Sequence, residues 1–96
     1  MLYEVRVMSL QNTMLALSDL TRRRILSILK QGEKSAGEIS DLFEISQPAI
    51  SRHLSVLKNA DLVKSRREGK QMVYSLSTSV LEEALAFISE LKGDPL

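Results

Sequence analysis

The sequence has no cysteine and a single histidine, His53. The first absence excludes disulfides and thiolate metal sites, and the second excludes the multi-histidine clusters that bind zinc. No apolar run approaches the ~18–20 residues needed to cross a bilayer. The opening Met1-Leu-Tyr-Glu-Val-Arg-Val stretch lacks the apolar core and small-residue cleavage site of a secretory signal. A soluble, cytoplasmic protein without membrane insertion is expected. There is no glycine-rich phosphate loop and no nucleophile–base pair, which argues against an enzyme. Repeats, low-complexity tracts and long linkers are also missing, so the 96 residues make one domain. A domain of this size buries only about 60–65% of its unfolded surface, and is helped by a disulfide, a metal or a partner subunit. Composition removes the first two, no cofactor is implied, and dimerisation is the expected remedy.

Charge of one sign is also scarce overall, with a formal net charge of +1. That total is a cancellation of blocks. Residues 18–34 carry a net +3 and residues 46–77 a net +4, against −3 in each of 35–45 and 78–96.

Leu10, Met14 and Leu17 share one helical face and predict a short first helix over 10–17. Met8 opens a polar stretch and is an alternative start. Residues 1–9 are therefore read either as an N-terminal arm packing on a neighbour or as an extension from an upstream start, and residues 10–96 as the domain. Ser18 or Asp19 caps a second helix whose stripe is Ile25, Leu26, Ile28 and Leu29 and whose stop is Gly32. Arg22, Arg23 and Arg24 fall in its first turns, the unfavourable end of a helix dipole for cations, and so require solvent or an anionic partner. Ser35-Ala-Gly-Glu38 is a capping box for a third helix of about two turns with Ile39, Leu42 and Phe43 inward. Ser46 caps a fourth, with Pro48 in its first turn. Two short helices joined by a tight turn make a helix-turn-helix.

Projected at 100° per residue, the fourth helix places Ala49, Ile50, Leu54, Val56, Leu57 and Ala60 in one arc of roughly 160°. The opposite arc holds Gln47, Ser51, Arg52, Ser55, Lys58 and Asn59. That face offers amide, hydroxyl and guanidinium groups and no carboxylate, as a helix entering the major groove of double-stranded DNA must. Ser46, Gln47, Ser51, Arg52, Ser55 and Lys58 are the candidate recognition residues. Gln47 and Arg52 suit bidentate pairing with adenine and guanine, and Ala49 offers a weaker contact to a thymine methyl. His53 projects at the edge of the apolar arc, where it is read as a packed or backbone-bonded residue, with a phosphate contact as the alternative.

From Val63 to Leu76 the period changes to two, broken by Glu68-Gly69, which predicts a two-stranded hairpin. Its basic residues Lys64, Arg66, Arg67 and Lys70 suit the phosphate backbone, as do Arg22 and Arg23, which have acids of the last helix as alternative partners. Ser79-Val-Leu-Glu82 reads as a second capping box, opening a last helix that Gly93-Asp94-Pro95 ends. More than half its circumference is apolar. Leu81, Leu85, Phe87, Ile88 and Leu91, with Leu10, Met14 and Leu17 of the first helix, are the candidate dimer interface; the alternative is a deeply buried core helix.

Leu17-Ser-Asp-Leu-Thr-Arg-Arg-Arg-Ile-Leu26, Ser46-Gln-Pro-Ala-Ile-Ser-Arg-His-Leu54 and the stretch 63–76 resemble, in order and spacing, the ArsR-type winged-helix repressors, over residues 15–77. Short metal-independent members are the nearest in length. The resemblance implies a mainly α winged helix-turn-helix with a small β-hairpin, dimerising through its first and last helices. It also implies a homodimer on an inverted-repeat operator, blocking transcription until released by a small ligand or an anti-repressor protein. Where metal-sensing members carry cysteines this chain has Ser35, Gly37 and Ser40, and Glu82, Glu83 and Glu90 of its last helix lack a histidine companion, so no metal site is expected. A winged-helix interaction module without DNA binding and a metal-responsive repressor are the competing readings.

Overall fold

The computed structural model describes residues 2–93, with side chains from residue 9 onward. The elements run α1 (Leu2–Leu17), α2 (Leu20–Lys30), β1 (Lys34–Ser35), α3 (Ala36–Ser40), α4 (Gln47–Asn59), β2 (Val63–Glu68), β3 (Gln71–Leu76) and α5 (Ser79–Lys92). The first helix therefore continues back to Leu2 instead of starting at residue 10, and the residues read as an arm are helical from Leu2 onward. Asp94 and Pro95 of the expected C-terminal stop lie outside the described residues. Gly93 does end α5, in the left-handed conformation at φ 80°, which glycine adopts without a Cβ penalty.

Local chemistry accounts for most boundaries. Asp19 caps α2 by accepting from the Arg22 N–H at 3.0 Å. Ser35 and Glu38 close a reciprocal capping box at 3.1 and 2.9 Å. Ser46 caps α4 through the Ala49 N–H at 3.3 Å. The box expected at Ser79 and Glu82 is absent. The residue preceding α5 is Thr78, whose side chain caps nothing, so Ser79 is already the first helical position and one place too late to cap. Helix α4 ends without glycine: Asp61 has φ 59°, the Asp61 N–H bonds Lys58 O and the Leu62 N–H bonds Leu57 O, both at 3.0 Å. This double closure turns the chain so that the fully buried Leu62 leads into β2.

The sheet has three strands, not two, in the order β1-β3-β2, all antiparallel. A two-residue β1 carries no readable period, which is why sequence patterning finds only the hairpin. Glu68 and Gln71 close that hairpin around Gly69 (φ 65°) and Lys70.

The core joins Ala16, Ile25, Leu29, Ile39, Ile50, Leu54, Leu57, Leu62, Val63 and Val80, one cluster drawn from most of the elements and the α4–β2 turn, with Phe43 packed against it. Two residues expected inward are outside it. Leu42 is 55% exposed because α3 stops at Ser40, so the helical spacing from Ile39 no longer applies. Val56 is 39% exposed; it sits about 120° from Ile50, at the very edge of the apolar arc.

Candidate nucleic-acid interface

Burial divides α4 along the projected line. Ile50, Leu54 and Leu57 face the core, while Gln47, Ser51, Arg52, Ser55, Lys58 and Asn59 are exposed. A cleft between α3 and α4, lined by Ala36, Gly37, Ser40, Gln47, Ile50 and Ser51, leaves the Gln47 and Ser51 side chains uncovered at its rim. Ser46 is exposed, its hydroxyl already accepting the cap bond and left with its O–H to donate. On the wing, Lys64, Arg67 and Lys70 are exposed.

Three arginines expected at phosphates have partners within the protein. Arg22 reaches back over the end of α1: its Nε donates to Ala16 O at 2.8 Å and its Nη2 to Leu15 O at 2.9 Å. Arg23 Nη1 donates to Leu17 O at 2.6 Å. The cations that sit badly on α2's own dipole thus serve the carbonyl end of α1, where positive charge is favourable, and neither pairs with the last helix. Arg66 is bound by Glu33 and Glu68. Arg24 lies over the Phe43 ring, 5.3 Å from its centroid.

Arg22 also resolves His53. Arg22 Nη1 lies 3.2 Å from His53 Nδ1, with Asp19 Oδ2 at 3.7 Å. For the guanidinium to donate there, Nδ1 must be the unprotonated ring nitrogen. His53 is thus a packed side chain that ties α4 to the junction of α1 and α2. Sequence patterning could not find this contact, since 31 residues separate its members.

The N–H of Arg22 holds the Asp19 carboxyl below the usual aspartate range, with His53 and Arg22 adding to the effect. A depressed carboxyl favours the fold at pH above its unfolded pKa, about 3.9, and that contribution disappears as pH falls through the lower folded value. The urea midpoint of the native protein is therefore expected to drop below about pH 4 more steeply than that of Asp19→Asn, which keeps the cap acceptor. Parallel midpoint-versus-pH curves for the two proteins would exclude Asp19 as a contributor.

Outside the groove face, the apolar residues of α5 divide. Val80 and Ala84 are buried, and Leu81 packs against the core. Leu85, Phe87, Ile88 and Leu91 are 40–72% exposed, and Met14 and Leu15 of α1 are 37% and 55% exposed. Leu10 and Leu17 are half-buried. In this single chain α5 is not a deeply buried core helix. Glu82, Glu83 and Glu90 are exposed, and Glu83 accepts from Ser9 Oγ at 3.3 Å.

A family model described as "Bacterial regulatory protein, arsR family" matches residues 19–65. The transcriptional repressor SdpR of Bacillus subtilis is 42% identical over 87 residues, covering 88% of this chain and 97% of that protein. The chain belongs to the ArsR family. Its fold agrees with the crystal structure of an ArsR family transcriptional regulator at a TM-score of 0.84 and 21% identity, covering 88% of each chain. It agrees also with the solution structure of a homodimeric winged helix-turn-helix DNA-binding domain from Mycobacterium bovis, at 0.76 and 24% identity, over 98% of this chain and 92% of the other. At these identities the likeness is one of fold. This ArsR-family chain is a DNA-binding transcription regulator of winged helix-turn-helix architecture, and its relatives are regulators, not enzymes. Among the described residues no helix is long and apolar enough to cross a membrane.

Proposed function

We propose that this ArsR-family protein is a cytoplasmic repressor without catalytic activity that binds an inverted-repeat operator as a homodimer. The observation that carries the reading is the exposed face of α4, where Gln47, Ser51, Arg52, Ser55 and Lys58 present donors and acceptors and no carboxylate. Two copies of α4, related by a two-fold axis, enter major grooves about one helical turn apart or a multiple of it. Gln47 and Arg52 read base edges, Ser46, Ser51 and Ser55 add hydroxyl contacts, and Lys58, Lys64, Arg67 and Lys70 serve phosphates. The exposed apolar residues of α1 and α5 form the dimer face, a reading supported by the homodimeric state of the structurally similar Mycobacterium bovis domain. Ser35, Gly37 and Ser40 are not soft-metal ligands, which favours release by a small ligand or an anti-repressor protein over release by a metal.

Selection of bound sequences from random duplex DNA, with and without EDTA, tests this directly. A palindromic site should be enriched in both conditions; no enrichment overturns the reading, and enrichment that depends on chelator overturns metal independence. On the selected site, Gln47→Ala should relax preference at one base pair, costing about 1–3 kcal/mol against the right base. Arg67→Ala should weaken all sequences alike and lower the salt slope by about one. If preference and slope both stay at their native values, the groove-and-wing assignment fails.

A further inference from the structure

Arg66 stands on β2 between two acids. Its Nη1 and Nη2 each donate to one Glu33 oxygen at 2.7 Å, and Nη2 donates also to Glu68 Oε2 at 2.8 Å. Glu33 lies just ahead of β1, and the strand order β1-β3-β2 makes this side chain reach across β3. The register partner of Arg66 on β3 is Val73, and register partners share a face of the sheet. Val73 is only 9% exposed, yet it lies outside the core cluster. Its cover is therefore on the outer face, the one Arg66 shares.

Two parallel N–H···O bonds to a carboxylate are the same fork that arginine offers a phosphate. We infer that Glu33 is a built-in phosphate mimic that staples the wing through Arg66 and withholds this arginine from DNA. Backbone contact by the wing is left to Arg67 and Lys70. The Arg66 bonds also hold the Glu33 carboxyl below the usual glutamate range. Both side chains are about half exposed, so water and salt reach the pair and its worth to stability is small. Its effect is on which cations are available to a duplex.

The inference rests on the proposed contact of the wing with DNA, and the test separates the two. Binding to the selected operator is measured between about 50 and 200 mM salt for the native protein, Arg66→Met, Glu33→Gln, the double variant and Arg67→Ala. Arg66→Met should keep the native slope. Glu33→Gln leaves Arg66 a single bond to Glu68, which a bidentate phosphate can displace. Its slope should steepen by about 0.9, an extra loss of about 3.5-fold over that salt range. The double variant should return to the native slope. A slope about one unit shallower in Arg66→Met would show that Arg66 already touches phosphate in the native complex, and a gain from Glu33→Gln that persists in the double variant would be long-range charge alone; either overturns the inference. No slope change in Arg67→Ala would instead remove the wing from DNA, and the functional reading would fall first. Without DNA, amide exchange in β2 and β3 should quicken in Glu33→Gln while circular dichroism stays native, and unchanged exchange would overturn the staple.

Discussion

Replacing Leu85 and Ile88 together by glutamate is expected to convert the protein to a folded monomer with operator affinity lowered about 1,000-fold or more. The two residues are 54% and 44% exposed in the single chain, one turn apart on α5 beside the 72%-exposed Leu91. Charging them therefore removes little from the protein's own core. Across a two-fold interface each meets its own kind or a neighbour from the second copy, so four carboxylates enter a surface that is otherwise apolar. A monomer brings one α4 and one wing to DNA, halving the phosphate contacts and losing the second half-site, which is why the expected loss is large. Light scattering gives the mass, circular dichroism gives the fold, and a gel-shift titration gives the affinity. A folded variant that remains dimeric would move the interface away from α5.

Arg22→Ala is expected to be the most damaging substitution of a charged residue in the domain, lowering stability by about 2–3 kcal/mol. One guanidinium satisfies the carbonyls of Leu15 and Ala16 at the end of α1 and reaches Nδ1 of His53. Ala16 and Leu54, the latter adjacent to His53 in α4, are both buried in the same core cluster. Truncation leaves two carbonyls and a ring nitrogen without their donor in a region only partly open to water, and the penalty for abandoned partners exceeds the worth of the bonds themselves. Lysine restores the charge but not the planar fork, so Arg22→Lys should recover less than half of the loss. Urea unfolding measures both. A loss under about 0.5 kcal/mol for Arg22→Ala would mean that water replaces the arginine at no cost, and that His53 is held by packing alone.

These two predictions draw on different kinds of information. The apolar girdle of α5 is visible in the residue string because a helix displays every side chain at a known angle, and an arc wider than one core can cover needs a second partner. Arg22 is visible too, but only as a cation at the wrong end of its own helix. What offsets that position is the carbonyl end of α1, and no periodicity encodes how the ends of two helices meet. The same holds for Arg66, whose basic neighbours suggest a phosphate contact. Its partner Glu33 lies 33 residues earlier, on the far side of an intervening strand.

The residue string is enough to establish the order of helices and hairpin, the caps at Asp19, Ser35 and Ser46, the buried stripe of α4 and its carboxylate-free outer face. Each is set within a turn or two of chain, where spacing and capping chemistry act directly. Folding in three dimensions was needed to show that β1 joins the sheet, that Ser79 stands one residue too late to cap, and that Leu42 and Val56 face outward. It also showed that three of the arginines suited to DNA are occupied within the protein. A cation on a linear sequence shows its charge but not its nearest carboxylate or carbonyl, and whether it meets a phosphate depends on how much of its hydrogen-bonding capacity folding has left free.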